Sequence, residues 1–157
     1  MACRKPKSPG VRSVDGAVMK RLPNWESKLV AWQKAAVGRH FFWGDADCCL
    51  TVCDGLLAIT GIDPAAAFRG NYKTKRGAYG ALKRFAGGGL AETVEKITGD
   101  LGWPEVPRLT ARRGDVGLVD TELGEALAIC TGPKWAVQGE HGLVFLSIKS
   151  GLRAWRV

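Results

Sequence analysis

The sequence has 157 residues, enough for one domain with a single core. Hydrophobic residues make up 46% and charged residues 24%, which is ordinary globular usage and excludes wholesale disorder, collagen-like repeats and coiled coils. The 23 Lys and Arg residues outnumber the 15 Asp and Glu residues, giving a net charge of +8. No apolar run reaches the ~18 residues that a membrane span requires, so we expect neither a membrane span nor a secretion signal.

The positive charge is concentrated at the N-terminus. Residues 1–21 contain six cationic side chains and one acidic side chain, Asp15, together with two prolines and two glycines. Such a segment buries too little apolar surface to fold alone, so we predict a basic extended arm over 1–21 and a folded domain over 22–157. The arm would be solvated or would dock on an acidic subunit. A nucleic-acid contact is a third interpretation, but the arm has no aromatic side chain for base stacking, and we expect no nucleic-acid partner.

The first half of the folded part has helical patterns. Helical spacing predicts a helix over 24–37, and a second one runs from its N-cap Asp47 to Gly61. A short helical turn follows, from Asp63-Pro64 to about Gly70. Two further helices are predicted over the ranges 75–86 and 90–98, the last of them closed by Gly99.

From Asp115 onward, short runs rich in Val, Ile, Leu and Trp alternate with Gly, Pro and Asp. The five predicted strands lie near residues 115–120, 126–131, 134–138, 142–148 and 152–157. Because these runs are too closely spaced for helices between them, the sheet should be a mainly antiparallel meander. The predicted fold class is therefore α+β, with N-terminal helices packed on a five-stranded sheet.

Cys48 would lie in the first turn of the second helix. Unpaired N–H groups and the positive end of the helix dipole stabilise a thiolate there, which is how a cysteine nucleophile is made reactive. Trp43 should line a cleft beside it.

Cys48 also belongs to an ordered set of motifs. The set comprises Phe42-Trp43-Gly44, Asp47-Cys48, Phe68-Arg69-Gly70 with Tyr72 and Thr74, Gly77-Ala78, Gly114-Asp115 and the C-terminal Ala154-Trp155-Arg156-Val157. This set resembles the NlpC/p60 branch of the papain-like cysteine peptidases, in particular the tail-tip proteins of bacteriophages and gene-transfer agents. The resemblance extends over about residues 22–157.

The resemblance implies a catalytic cysteine, a general-base histidine at the start of the strand after the Gly-Asp strand, and a polar residue one strand later that orients the imidazole. Cys48 matches the nucleophile and Gln138 the orienting position, but Ala126 occupies the position of the histidine. An amide-cleaving thiol needs that imidazole as its proton acceptor and donor. His40 and His141 are the two remaining candidate bases; the alternative is that both are surface or turn histidines.

The chain has five cysteines, an odd number, which without a signal peptide favours reduced thiols and synthesis in the host cytoplasm. Cys48, Cys53 and Cys130 could supply thiolates for zinc or an iron–sulfur cluster. However, no Cys-x-x-Cys pair is present, and the adjacent Cys48 and Cys49 would point about 100° apart on a helix. We therefore expect no metal and no cofactor, and interpret Cys49, Cys53 and Cys130 as small core residues.

The expected function follows from the resemblance. It implies a virion structural protein of the phage or phage-like tail tip, with a peptidase-like but non-catalytic domain and with the distal tail, hub and central fibre proteins as partners. One alternative is a peptidoglycan endopeptidase that uses Cys48 with His141 or His40 in cell-wall penetration. The other is a module that binds cell-wall peptide without cutting it.

Overall fold

The computed structural model describes residues 21–157, so the predicted basic arm, apart from Arg21, lies outside the described residues. The helices of this part are α1 (Trp25–Ala36), α2 (Cys48–Thr60), α3 (Lys75–Ala86) and α4 (Leu90–Leu101). The strands are β1 (Glu105–Val106), β2 (Val116–Thr121), β3 (Gly124–Cys130), β4 (Lys134–Gln138), β5 (Leu143–Ser147) and β6 (Gly151–Trp155). Short 3-10 helices cover Arg108–Thr110 and Ile148–Ser150.

The four predicted helices are confirmed, and their local signals explain them. Asp47 and Thr74 accept hydrogen bonds from the first-turn N–H groups of α2 and α3, while Gly61 and Gly87 end these helices in the left-handed conformation. Two details differ. Residues 64–70 form turns rather than a regular helix, and α4 continues three residues past 98 to Leu101.

The α+β class is confirmed, but the sheet has six strands rather than five. All its pairings are antiparallel, and the order is β1-β6-β2-β3-β4-β5. Strands β2 to β5 form the expected meander, whereas β6 crosses back and pairs with β2 on one side and β1 on the other. Strand β1 has no signal in the sequence, because it has only two residues, between Pro104 and Pro107, which is too short to show alternation.

Both faces of the sheet are buried. The helices cover one face, where Leu50 and Leu56 of α2 join Leu118, Leu127 and Ile129 in the larger core cluster. A second cluster occupies the opposite face and comprises Val119, Ala126, Ala128, Cys130, Trp135, Val137 and Ala154. The link from β5 to β6 contacts that face, and the Trp135 indole N–H donates to the carbonyl of Ile148 in this link, at 3.2 Å.

None of the helices in residues 21–157 is long and apolar enough to cross a membrane.

Candidate functional site

The site begins at the N-terminus of α2, where Asp47 is the N-cap and Cys48 the first helical residue. One oxygen of the Asp47 carboxylate accepts from the backbone N–H groups of Cys49 (3.1 Å) and Leu50 (2.9 Å). The other accepts from the Gly44 N–H (3.0 Å) and the Tyr72 hydroxyl (2.6 Å). This carboxylate is 1% exposed, so its four hydrogen bonds replace the water it loses.

Gly44 forms the turn that leads the chain into α2. Its φ of +80° is in the left-handed region, and a Cβ at this position would collide with the carbonyl oxygen of Tyr72. A glycine is therefore required both by the turn and by the close approach of the Tyr72 backbone. The same approach places the Tyr72 hydroxyl on Asp47, which ties the loop before α3 to the start of the cysteine helix.

The sulfur atoms of Cys48 and Cys49 lie 3.9 Å apart. Either thiol can donate in the neutral pair, but once Cys48 ionises only Cys49 can, and this hydrogen bond lowers the pKa of Cys48 against the opposing effects of burial and the Asp47 carboxylate. The backbone N–H of Leu127 in β3 also favours the Cys48 thiolate. The same thiol–thiol hydrogen bond, together with burial, raises the pKa of Cys49 well above its usual value. The pair therefore has one thiol whose pKa is lowered and one whose pKa is raised.

Strand β3 passes next to Cys48. The thiol approaches the Leu127 backbone, and Cys48 packs against the second core cluster, which contains Ala126. Ala126 is the position at which the resemblance implies a base. Its methyl side chain is 7% exposed and can neither accept nor donate a proton.

The two histidines lie next to each other. The rings of His40 and His141 meet edge to face with centroids 5.3 Å apart, and both residues are exposed. The imidazole of His141 lies 4.0 Å from the Glu140 carboxylate. Within residues 21–157, neither imidazole hydrogen-bonds to the Cys48 sulfur.

Gln138, the predicted orienting residue, is buried at the end of β4 with its amide fully engaged. Its oxygen accepts from the Thr51 hydroxyl at 2.9 Å, and its nitrogen donates to the carbonyls of Arg39 (2.7 Å) and Gly139 (2.8 Å). Thr51 lies one turn after Cys48 on α2. Gln138 thus joins the sheet to α2 and to the loop before it, and none of its partners is an imidazole.

A cavity of about 310 Å³ opens beside the two thiols, between the cysteine helix, α3, α4 and the β2–β3 turn. Its wall includes Cys48, Cys49, Cys53 and Trp43, and most of the remaining lining is aliphatic or aromatic. Phe68, Tyr72 and Ala78 also contribute to the wall, so several motif residues of the sequence surround one space. The cavity itself could not be found in the sequence, because its walls come from five separate segments of the chain.

Other motif residues hold this wall in place. The Arg69 guanidinium pairs with Asp63 (2.6 Å) in its own turn and with Asp54 (2.8 Å) on α2. The other oxygen of Asp54 accepts from Arg39 at 3.1 Å. This network connects the turn over 64–70 to the outer side of α2. The sequence suggested Arg69 as a motif residue but did not indicate its partners.

The two remaining thiols of residues 21–157 are separated by the sheet. Cys53 belongs to the core on the helix side, and Cys130 belongs to the cluster on the opposite face. Burial raises the pKa of both. In the part of the chain that the structure describes, no group of three or more His, Cys, Asp or Glu side chains could hold a metal ion.

These features define an α+β domain with a thiol pair at a helix N-terminus, beside an apolar cavity. Residues 20–157 match a family described as a domain of unknown function, DUF6950, and the chain belongs to that family. No curated protein matches the sequence.

Proposed function

We propose that this protein is a structural component of a bacteriophage or phage-like tail tip, and that its domain is a papain-like, NlpC/p60-like fold without peptidase activity. The tail-tip assignment is supported by the ordered motifs over about residues 22–157. The comparison with papain-like enzymes is supported by the chain order: a helix headed by Cys48, then an antiparallel sheet whose second meander strand passes beside that thiol.

The observation that supports a lack of peptidase activity is the absence, among the described residues, of a base hydrogen-bonded to Cys48. Ala126 occupies the implied position of the base, and the two histidines pair with each other at the surface. A thiol without an imidazole has no group to protonate the leaving amine of a peptide, and this role contributes about 10²- to 10⁴-fold to the rate. The partners would be other tail proteins, such as the distal tail, hub and central fibre proteins, and the protein would reside in the virion.

The lowered pKa of Cys48 favours the second candidate, a peptidoglycan endopeptidase, because a thiolate is the attacking species in such enzymes. Release of muropeptides from peptidoglycan distinguishes the two functions. Purified wild-type protein and Cys48→Ser are incubated with isolated murein sacculi, and released muropeptides are separated by chromatography. We expect the same background from both proteins. Muropeptide release that depends on Cys48 would overturn the proposal.

A particle experiment tests the structural role directly. We expect to find the protein in purified particles of the phage or phage-like element that encodes it. Deletion of its gene should abolish the infectivity of those particles. When the deletion is complemented in trans, the Cys48→Ser variant should restore infectivity as well as the wild-type protein does. Absence of the protein from the particles would contradict the proposed location.

A further inference from the structure

The chemistry of the cavity wall limits what can bind there. Among residues 21–157 no lysine or arginine lines it, so no side chain of the described wall would neutralise an anionic ligand. The Asp47 carboxylate is already occupied by four hydrogen bonds, and Glu125 is exposed. The rest is mostly apolar. The lining therefore suits the apolar part of a ligand, which would lie against the thiols of Cys48 and Cys49.

The missing base limits the reactions of Cys48 but does not abolish all of them. An amide needs a general acid because an amine anion is a very poor leaving group. A thioester releases a thiolate, whose conjugate thiol has a pKa near 8.5, and this leaving group needs no proton from the protein. The reaction also needs an attacking thiolate. The hydrogen bond from Cys49 favours the thiolate form of Cys48.

We propose that the cavity binds the acyl chain of a medium-chain acyl thioester and that Cys48 accepts the acyl group. The Cys48 thiolate attacks the carbonyl carbon and forms a carbon–sulfur bond. The bond between that carbon and the donor sulfur then breaks, the donor leaves as a thiolate, and it takes a proton from water. No oxidant or reductant is consumed. This inference goes beyond the structural role and does not depend on it.

The size of the cavity indicates the length of the chain. An apolar cavity of about 150 Å³ holds benzene, so about 310 Å³ has room for on the order of ten carbon atoms. The acyl group should also persist. Hydrolysis of the product needs a base to activate water, and the described residues place no imidazole on Cys48. The expected product is a stable S-acyl cysteine rather than a turnover intermediate.

The test uses the full chain and neutral thioesters. Purified protein is incubated with the octanoyl or the acetyl thioester of N-acetylcysteamine, and the adduct is measured by intact mass spectrometry and located by peptide mapping. We expect octanoylation of Cys48 at least about tenfold faster than acetylation, since burial of two of the six extra methylenes is sufficient for that ratio. Cys48→Ser should give no adduct at this position.

A variant that fills the cavity separates binding from simple thiol reactivity. Ala78 lines the cavity, and Ala78→Leu should remove the preference for the octanoyl over the acetyl group, because the larger side chain fills the space that the acyl chain would occupy. Ala66 is exposed and outside the cavity wall, so Ala66→Leu is the matched control and should keep the preference. Circular dichroism checks that each variant is folded. If Ala78→Leu does not fold, Leu82→Trp, on the same wall, replaces it.

Three results would overturn the proposal. One is an equal rate for the two acyl groups at Cys48, which would show a reactive thiol without a chain-binding pocket. Another is octanoylation that is absent, or that occurs equally at the other cysteines. The third is rapid loss of the adduct in buffer, which would show that water is activated at this site.

Discussion

At the scale of single residues, the start of α2 depends on one carboxylate. Asp47 caps the helix, holds the turn at Gly44 and accepts from Tyr72, so it fixes the position of Cys48 from three directions. An N-cap of this type contributes about 1 kcal/mol to stability, and the hydrogen bond from the Tyr72 hydroxyl adds to this contribution. The reactive thiol is thus held rigidly although it lies next to a cavity.

The role of Cys49 gives a prediction for the pH dependence of Cys48. Donation from the Cys49 thiol lowers the pKa of Cys48, so removal of the donor should raise this pKa again. We expect Cys49→Ala to move the midpoint of the alkylation rate at Cys48 to higher pH. Cys49→Ser keeps a hydroxyl donor and should leave the midpoint close to that of wild type.

The measurement is the rate of alkylation by iodoacetamide between pH 6 and about 10, with the modified residue located by mass spectrometry. Cys48 should react before Cys53, whose pKa is raised by burial. An equal midpoint in Cys49→Ala and Cys49→Ser would show that the neighbouring thiol does not control Cys48.

At the scale of elements, α4 shows how a glycine is used in two different ways. Gly99 lies inside the helix with open space where a Cβ would be, whereas Gly102 ends it with a φ of +71°. Gly99→Ala should therefore stabilise the protein by about 0.5–1 kcal/mol, because alanine favours the helix and restricts the unfolded chain. Gly102→Ala should destabilise it by about 1 kcal/mol, because the left-handed conformation is costly for alanine.

Urea denaturation of the two variants and wild type measures both changes. Since neither added methyl would have an atom within 4 Å beyond the adjacent residues and the backbone of its own helix, tertiary packing cannot account for a difference between them. A loss of stability in Gly99→Ala would contradict the helix boundary described here.

The same helix shows where prediction from sequence works. Helices α1 to α3 were predicted because caps and apolar spacing lie within each segment, as at Asp47 and Gly61. The prediction that Gly99 ends α4 is wrong, because a glycine inside a helix and a glycine at its end look alike in the sequence. Strand β1 was missed because a two-residue strand is defined by its pairing with β6, not by its own pattern.

The candidate site also has some features that the sequence predicts and others that it does not. Position in the first turn of a helix identified Cys48, and the motif order suggested Gln138, His40 and His141 as residues of interest. The partners of these residues come from tertiary contacts: Thr51 for Gln138, and each histidine for the other. The thiol–thiol hydrogen bond was also missed, because an idealised helix separates neighbouring side chains by about 100°.

At the scale of the whole molecule, a buried carboxylate joins the two ends of the described chain. Asp115 is 0% exposed and accepts from Arg21 (3.1 Å), from Arg156 (2.9 Å) and from two backbone N–H groups. Arg21 also donates to the carbonyls of Arg113 and Val157 and stacks on the Trp25 ring. The last residue of the predicted arm is therefore part of the packed domain.

These contacts of Arg21 predict that its substitution and the deletion of the residues before it have different effects on stability. Arg21→Ala should destabilise the domain by about 2 kcal/mol, because the buried Asp115 loses one of its charged partners. Deletion of residues 2–20 leaves those contacts intact and should not change the free energy of unfolding. Arg113→Ala is the control, since the Arg113 backbone carbonyl that Arg21 contacts is retained.

Chemical denaturation of the three proteins measures these effects. If deletion of residues 2–20 destabilised the domain as much as Arg21→Ala, the segment before Arg21 would itself contribute to the fold.

The place of β6 in the sheet has a consequence for synthesis. This strand is the last of the six along the chain, yet it lies between β1 and β2. While a ribosome still holds residues 151–155, the nascent domain has a gap in its sheet and an uncovered apolar face. Folding should therefore be completed only after β6 leaves the exit tunnel, and until then the chain would be a natural client for chaperones.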